Sequence, residues 1–152
     1  MNKALFLDRD GVINDEINYL YKISDIKFIS GVFETCREVQ KYGYKIIIIT
    51  NQSGIARGLY SEDDFQILSD WMMKQFKSQG VTIDKIYYCP YHTSGLIDKY
   101  KRHSWDRKPN PGMLFQARDE LGINLSQSLI IGDMLSDIYA GINAKIGKTV
   151  LV

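Results

Sequence analysis

The sequence predicts an α/β domain, a Rossmann-like three-layer α/β/α sandwich with a mainly parallel sheet and no separate cap domain. Three observations carry that reading. Short apolar runs alternate with helical patterns along the chain. Two runs, "KIIIIT" (45–50) and "SLIIGD" (128–133), are continuously apolar, as strands covered on both faces are. Polar clusters follow the run ends, where open parallel sheets carry their sites. At 152 residues the chain fits one domain, 1–152, long enough to bury a core.

In chain order, "KALFLD" (3–8) is the first strand. A helix over 31–42 places Val32, Phe33, Cys36 and Val39 on one face and ends at Gly43. "KIIIIT" is the second strand. Residues 61–79 form a helix with Ser61 as N-cap, acids in the first turn, and a stripe of Phe65, Leu68, Met72 and Phe76. "DKIYYC" (84–89) is the third strand. "NPGMLFQARDELG" places Asn110 at an N-cap, Pro111 at the first helical position and Gly122 past the end. After the fourth strand, a helix over roughly 135–146 leads to "KTVLV" (148–152), a fifth strand candidate.

Bulk properties exclude several classes. A formal net charge of +1 gives no electrostatic case for nucleic acid or a membrane surface, and the basic stretch 99–108 fits a solvated loop. The opening "MNKALFLDRD" breaks its apolar run at Asp8, so no signal peptide is expected, and no run is long enough for a bilayer. Two cysteines do not make a disulfide framework, so a reducing cytoplasm is expected. Oligomeric state is left open.

The chemistry begins at "FLDRDGVIN" (6–14). Asp8 and Asp10 lie two apart, on the same side of an extended strand, where like charges repel unless a cation joins them. Asp133 arrives at the same sheet edge, which offers hard oxygen ligands to Mg²⁺. Lys108 adds positive charge, and Thr50 adds a hydroxyl beside a glycine-containing turn. Together these suit a phosphoryl group undergoing attack by an oxygen. Separately each has a plainer explanation. The D-x-D could be a turn, Thr50 a strand end, and Lys108 or Arg57 a surface charge.

"DRDG", "TNQSG", "RKP" and "GDMLSD" follow the order and spacing of the haloacid-dehalogenase-like (HAD-like) phosphatases. The chain most resembles the branch of heptose-bisphosphate and histidinol phosphatases, through "TNQSGIARG" and "RKPNPGM". The resemblance implies that Asp8 is the nucleophile and Asp10 the general acid and base. It implies phosphate binding by Thr50, Asn51 and Lys108, and metal binding by Asp8, the Asp10 carbonyl and Asp133. Asp137 would orient Lys108 or water rather than bind metal. Glu16, Ile17, Asn18, Tyr19, Gln52, Ser53 and Arg107 would contact the substrate, a small phosphorylated metabolite.

Two departures from the branch bear on cofactor and substrate. Its zinc loop reads C-x-H and then C-x-C before R-K-P. Here Tyr91 takes the histidine position, and Ser104 and Asp106 take the cysteine positions. Structural zinc is therefore not expected, the alternative donors being Cys89, His92, His103 and Asp106. The branch often carries a basic residue after the third motif's aspartate, where this chain has Met134. The leading expectation is a Mg²⁺-dependent sugar phosphatase acting on heptose 1,7-bisphosphate at the 7-position. Histidinol phosphate is the nearest alternative substrate, a polynucleotide 3′-phosphate is more distant, and the rival of another class is a non-catalytic phosphate-binding module.

Overall fold

Consecutive residues of a strand face opposite sides of its sheet, so a run of apolar residues needs cover on both. Ile46 to Ile49, within β2 (Tyr44–Asn51), are each fully buried. The structure, a computed structural model, describes residues 1–152. Its other strands are β1 (Lys3–Leu7), β3 (Ile83–Cys89), β4 (Leu129–Gly132) and β5 (Lys148–Leu151). They form one parallel sheet in the order β3-β2-β1-β4-β5.

Helices α1 (Val32–Lys41) and α3 (Glu62–Ser78) cover one face. There Val32, Cys36, Met72 and Phe76 pack with Leu5, Leu7, Ile46 and Ile48. Helices α4 (Gly112–Leu121) and α5 (Leu135–Asn143) cover the other, where Met113, Leu114, Ala117 and Ala140 meet Ala4, Phe6, Ile47 and Ile49. Alternation along β1 and β2 thus sorts their side chains into the two cores. The reading of a three-layer α/β/α sandwich with no separate cap domain holds.

Local signals match in part. Ser61 caps α3 reciprocally: its hydroxyl accepts the Asp64 amide, and the Asp64 carboxylate accepts the Ser61 amide, each at 3.0 Å. The start of α4 differs from expectation. Pro111 is the cap residue, and the Asn110 side chain instead donates to the Ser104 carbonyl at 3.1 Å. The last helix ends at Asn143 rather than near 146, because Lys145 turns into the left-handed region at φ 56°. A four-residue helix, α2 (Ser53–Ala56), lies after β2 where only a turn was expected.

The segment between β1 and α1 is a flap. It is held at its base by the Ile29 amide on the Ile13 carbonyl at 2.9 Å and the Asp15 amide on the Lys27 carbonyl at 2.8 Å. Register then builds the site. Leu7 pairs with Ile48 of β2 and with Ile131 of β4. Asp8 and Asp133, just past the ends of β1 and β4, and Thr50, near the end of β2, therefore lie together at the carboxyl end of the sheet.

Candidate active site

At that edge the Lys108 ammonium is nine-tenths or more buried and has all its hydrogens engaged. It donates to Asp8 Oδ1 at 3.0 Å, to Asp137 Oδ1 at 2.5 Å and to the Ile49 carbonyl at 3.0 Å. Asp137 uses its second oxygen on the Met134 amide at 3.1 Å, which caps α5. Both Asp137 oxygens are thus committed, which suits orientation of Lys108. The Asn51 side chain accepts the Lys108 amide at 3.0 Å and donates to the Lys108 carbonyl at 3.1 Å. The side chain is thus occupied in fixing the lysine backbone, and Asn51 also lines the cavity beside Asp10.

Electrostatics favour a cation at this cluster. Asp8, Asp133 and Asp137 bring one carboxylate oxygen each within 4.8 Å of one another. Three carboxylates against one ammonium leave two negative charges uncompensated, in a place where charge is costly to bury. Burial is the main influence on Asp8 and pushes its carboxyl up to about 7, against the opposing pull of Lys108. For Lys108, burial disfavours the ammonium, but Asp8 and Asp137 overcome it and hold the group above the ordinary lysine range.

A divalent metal fits these residues. Asp133 Oδ1 is buried without any hydrogen-bond partner. The Asp10 carbonyl accepts none of the loop's backbone hydrogen bonds. Gly11, at φ 88°, lies so close that a Cβ there would stand 2.0 Å from Asp133 Oδ2, so the turn must be glycine for the carboxylate to enter. Hard oxygen donors of this kind suit Mg²⁺.

Asp10 is held from three sides. Arg9 grips both of its oxygens at 3.0 to 3.3 Å, Asn14 donates to Oδ1 at 3.0 Å, and Gln52 approaches Oδ2 at 3.4 Å. Arg9 also donates to the flap carbonyl of Leu20 at 3.0 Å. Asp10 lines a cavity of about 220 Å³ with Glu16, Asn18, Tyr19 and Ser53. Ile17 is exposed and outside that lining, so its expected contact with substrate is not supported by the structure. Gln52 lines the cavity but is 2% exposed and bonded to Thr50 and Tyr60, which makes it part of the wall.

Arg107 lines a neighbouring polar cavity of about 160 Å³ with Lys108, Arg102 and His103. Arg57 Nε and Arg107 Nη1 are buried without partners, and neither residue pairs with a carboxylate. Arg57 lies 5.9 Å from the Tyr19 ring of the flap. Burial holds Arg107 below the ordinary arginine range, and the Arg57 charge adds to that effect.

The alternative zinc donors are not gathered. Cys89 is fully buried, with its thiol 4.0 Å from the Tyr91 carbonyl; His92 Nδ1 accepts the Ser94 amide at 2.9 Å; His103 is exposed. Other contacts hold this loop. The Arg102 guanidinium covers the Tyr91 ring at 3.9 Å, and the Leu96 and Ile97 amides share the Ala56 carbonyl at 2.8 and 3.0 Å. Glu62 accepts the hydroxyls of Tyr88, at 2.5 Å, and Tyr100. Arg9, Asn14 and Tyr60 were not singled out from the sequence. Arg9 and Asn14 stand inside the first motif, whereas nothing in the sequence marks Tyr60.

Comparisons with known proteins give the chain's family. The HAD-hydrolase-like family model matches residues 105–152. The chain is 49% identical to a D-glycero-beta-D-manno-heptose-1,7-bisphosphate 7-phosphatase of Haemophilus influenzae, covering 100% of this chain and 82% of that protein. It is 51% identical to the corresponding alpha-anomer 7-phosphatase of Campylobacter jejuni, covering 99% and 82%. Among solved structures, the D,D-heptose 1,7-bisphosphate phosphatase of B. bronchiseptica, complexed with magnesium and phosphate, matches with a TM-score of 0.84. Identity there is 27%, over 97% of this chain and 79% of that one.

Proposed function

The chain belongs to the HAD-like family of D-glycero-D-manno-heptose-1,7-bisphosphate 7-phosphatases, and from that premise we propose that it removes the 7-phosphate through an aspartyl-phosphate on Asp8. The observation that carries this reading is the buried Lys108, shared by Asp8 and Asp137 beside the unpartnered oxygen of Asp133. A non-catalytic phosphate-binding module has no need of a nucleophile held this way.

An Asp8 carboxylate oxygen attacks phosphorus, and the bond from phosphorus to the sugar oxygen breaks. Lys108 and the Thr50 hydroxyl face the charge that builds on the phosphoryl oxygens. Asp10, in its acid form, passes its proton to the leaving sugar oxygen. As carboxylate it then takes a proton from the water that attacks the aspartyl-phosphate, which returns Asp8 and releases inorganic phosphate. The bonds from Arg9 and Asn14 keep Asp10 at the cavity in both steps. The carboxylates of Asp8 and Asp133 and the Asp10 carbonyl would hold Mg²⁺. When bound there, the ion supplies charge neutralisation and polarises a phosphoryl oxygen.

Arg57 and Arg107 support a substrate with a second phosphate. Each has a buried N–H group without a partner, and Arg107 lines the cavity beside Lys108, whereas Met134 brings no charge. Relatives of similar identity are named for both anomers, so the proposal covers either. Steady-state turnover of heptose 1,7-bisphosphate and histidinol phosphate tests the assignment. The bisphosphate is expected to have the higher kcat/KM, and preference for histidinol phosphate refutes the sugar reading.

A further inference from the structure

Tyr60 lies between α2 and α3, is 7% exposed, and is bonded through its hydroxyl to Gln52 Oε1. On its other side, Gln52 Nε2 reaches Thr50 Oγ1 at 2.9 Å and Asp10 Oδ2 at 3.4 Å. The direction of these bonds follows from chemistry. A carboxylate only accepts, so the amide nitrogen must face Asp10 and the amide oxygen must face the phenol. Burial pushes the Tyr60 phenol up to about 12, which keeps it protonated and donating. Thr50 then accepts from Gln52, and its own hydrogen is left for another acceptor. The one within reach is the Asn51 carbonyl, at a long 3.5 Å.

The ring is fixed as firmly as the hydroxyl. A Cβ on Gly54 would stand 2.2 Å from Tyr60 Cε1, so the ring lies flat against that glycine. From the flap, Tyr21 stacks on Tyr60 with centroids 5.4 Å apart and planes 13° from parallel.

We propose that Tyr60 is a positioning residue, which holds the Gln52 amide in the one orientation that leaves the Thr50 hydroxyl as a donor to the transferring phosphoryl group. The proposal rests on the reading of Thr50 as a phosphoryl ligand. Without the phenol only the long 3.4 Å contact to Asp10 Oδ2 opposes a turn of the amide, and a turned amide makes Thr50 donate to its oxygen instead of to the substrate.

Full-length wild type, Y60F, Q52A, the double variant and T50V are compared with Mg²⁺ present. Turnover of the bisphosphate and inhibition by inorganic phosphate are measured, and thermal melts check folding. Y60F is expected to lower kcat and weaken phosphate inhibition by about tenfold, the scale of one hydrogen bond. In the Q52A background it should change neither by more than about twofold, since its effect passes through Gln52. Gln52→Glu, which cannot donate to Thr50, should reproduce the loss with Tyr60 intact. Wild-type turnover by Y60F or Q52E overturns the proposal, and so does an undiminished effect of Y60F in the Q52A background. A T50V protein with unchanged turnover and phosphate inhibition overturns the reading beneath it, whatever Y60F does.

Discussion

Asp137 Oδ1 lies 2.5 Å from Lys108 Nζ, with the two side chains only 2% and 3% exposed. Removing one partner of such a pair leaves a buried charge with less compensation, which typically costs about 3 kcal/mol or more. Asp137→Ala also uncaps α5, since Asp137 accepts the Met134 amide. The variant should lose about that much in urea unfolding and at least tenfold in kcat. Wild-type stability together with wild-type turnover would contradict the role given to this pair.

Asp8 makes the fold sensitive to pH. Burial, the largest influence, raises its carboxyl from 3.8 to about 7, so the folded protein holds this proton more tightly than the unfolded chain. The contribution of the acid form is whole below about 4 and is lost as pH rises through about 7. Asp8→Asn keeps a neutral group throughout. In chelator, the melting temperature of D8N minus that of wild type should therefore widen from pH 4 to pH 8. A difference that stays flat counts against the shift.

Metal should act on both stability and turnover. Excess chelator is expected to abolish activity, and Mg²⁺ to restore it and raise the melting temperature. Ca²⁺ should stabilise yet support turnover poorly, because its looser coordination is a worse template for in-line transfer. Asp133→Asn should lose most of the Mg²⁺-induced rise. Activity that persists in chelator refutes the metal's role.

Arg57 and Arg107 should separate two-phosphate from one-phosphate substrates. Loss of a charge-assisted hydrogen bond is worth about 1.5 to 3 kcal/mol, or roughly ten- to a hundredfold. R57A and R107A are expected to lower kcat/KM for heptose 1,7-bisphosphate by that factor and for heptose 7-phosphate hardly at all. An equal loss on both substrates would deny them contact with the second phosphate.

The loop after β3 should hold no stoichiometric zinc. Metal analysis of stripped and reconstituted protein is expected to give well under one zinc per chain. Arg102→Ala should instead make residues 90–107 more open to proteolysis, since Arg102 covers Tyr91 at 3.9 Å. Retained equimolar zinc would refute this account.

Much of the fold was legible because a doubly covered strand leaves little choice of residue. "KIIIIT" declares itself, and Ser61 with Asp64 marks a helix start. The charged centre was legible for a related reason. Asp8, Lys108 and Asp133 follow strand ends or a motif, and register alone brings the strand ends together. What escaped depends on contacts between segments far apart in the chain or on loop geometry. Asn110 looked like a cap until the Ser104 carbonyl claimed its side chain. The pairing of the Asn51 side chain with Lys108, 57 positions away, is announced by no local pattern. Tyr60 carries no signal, because an aromatic residue ahead of a helix is ordinarily just packing.

The shared Ala56 carbonyl has a practical corollary. The residues on which the proposed chemistry rests are fastened to strand ends and to one another, whereas the loop after β3 is tied to α2 through two main-chain amides. The two parts meet at Ser104, whose carbonyl accepts the Arg107 amide and the Asn110 side chain. A foreign stretch at 91–104 should therefore be accepted if it keeps two adjacent amides for Ala56, a hydroxyl for Glu62 and the Ser104 carbonyl, which makes this loop the natural place to try to retarget the proposed activity towards other esters.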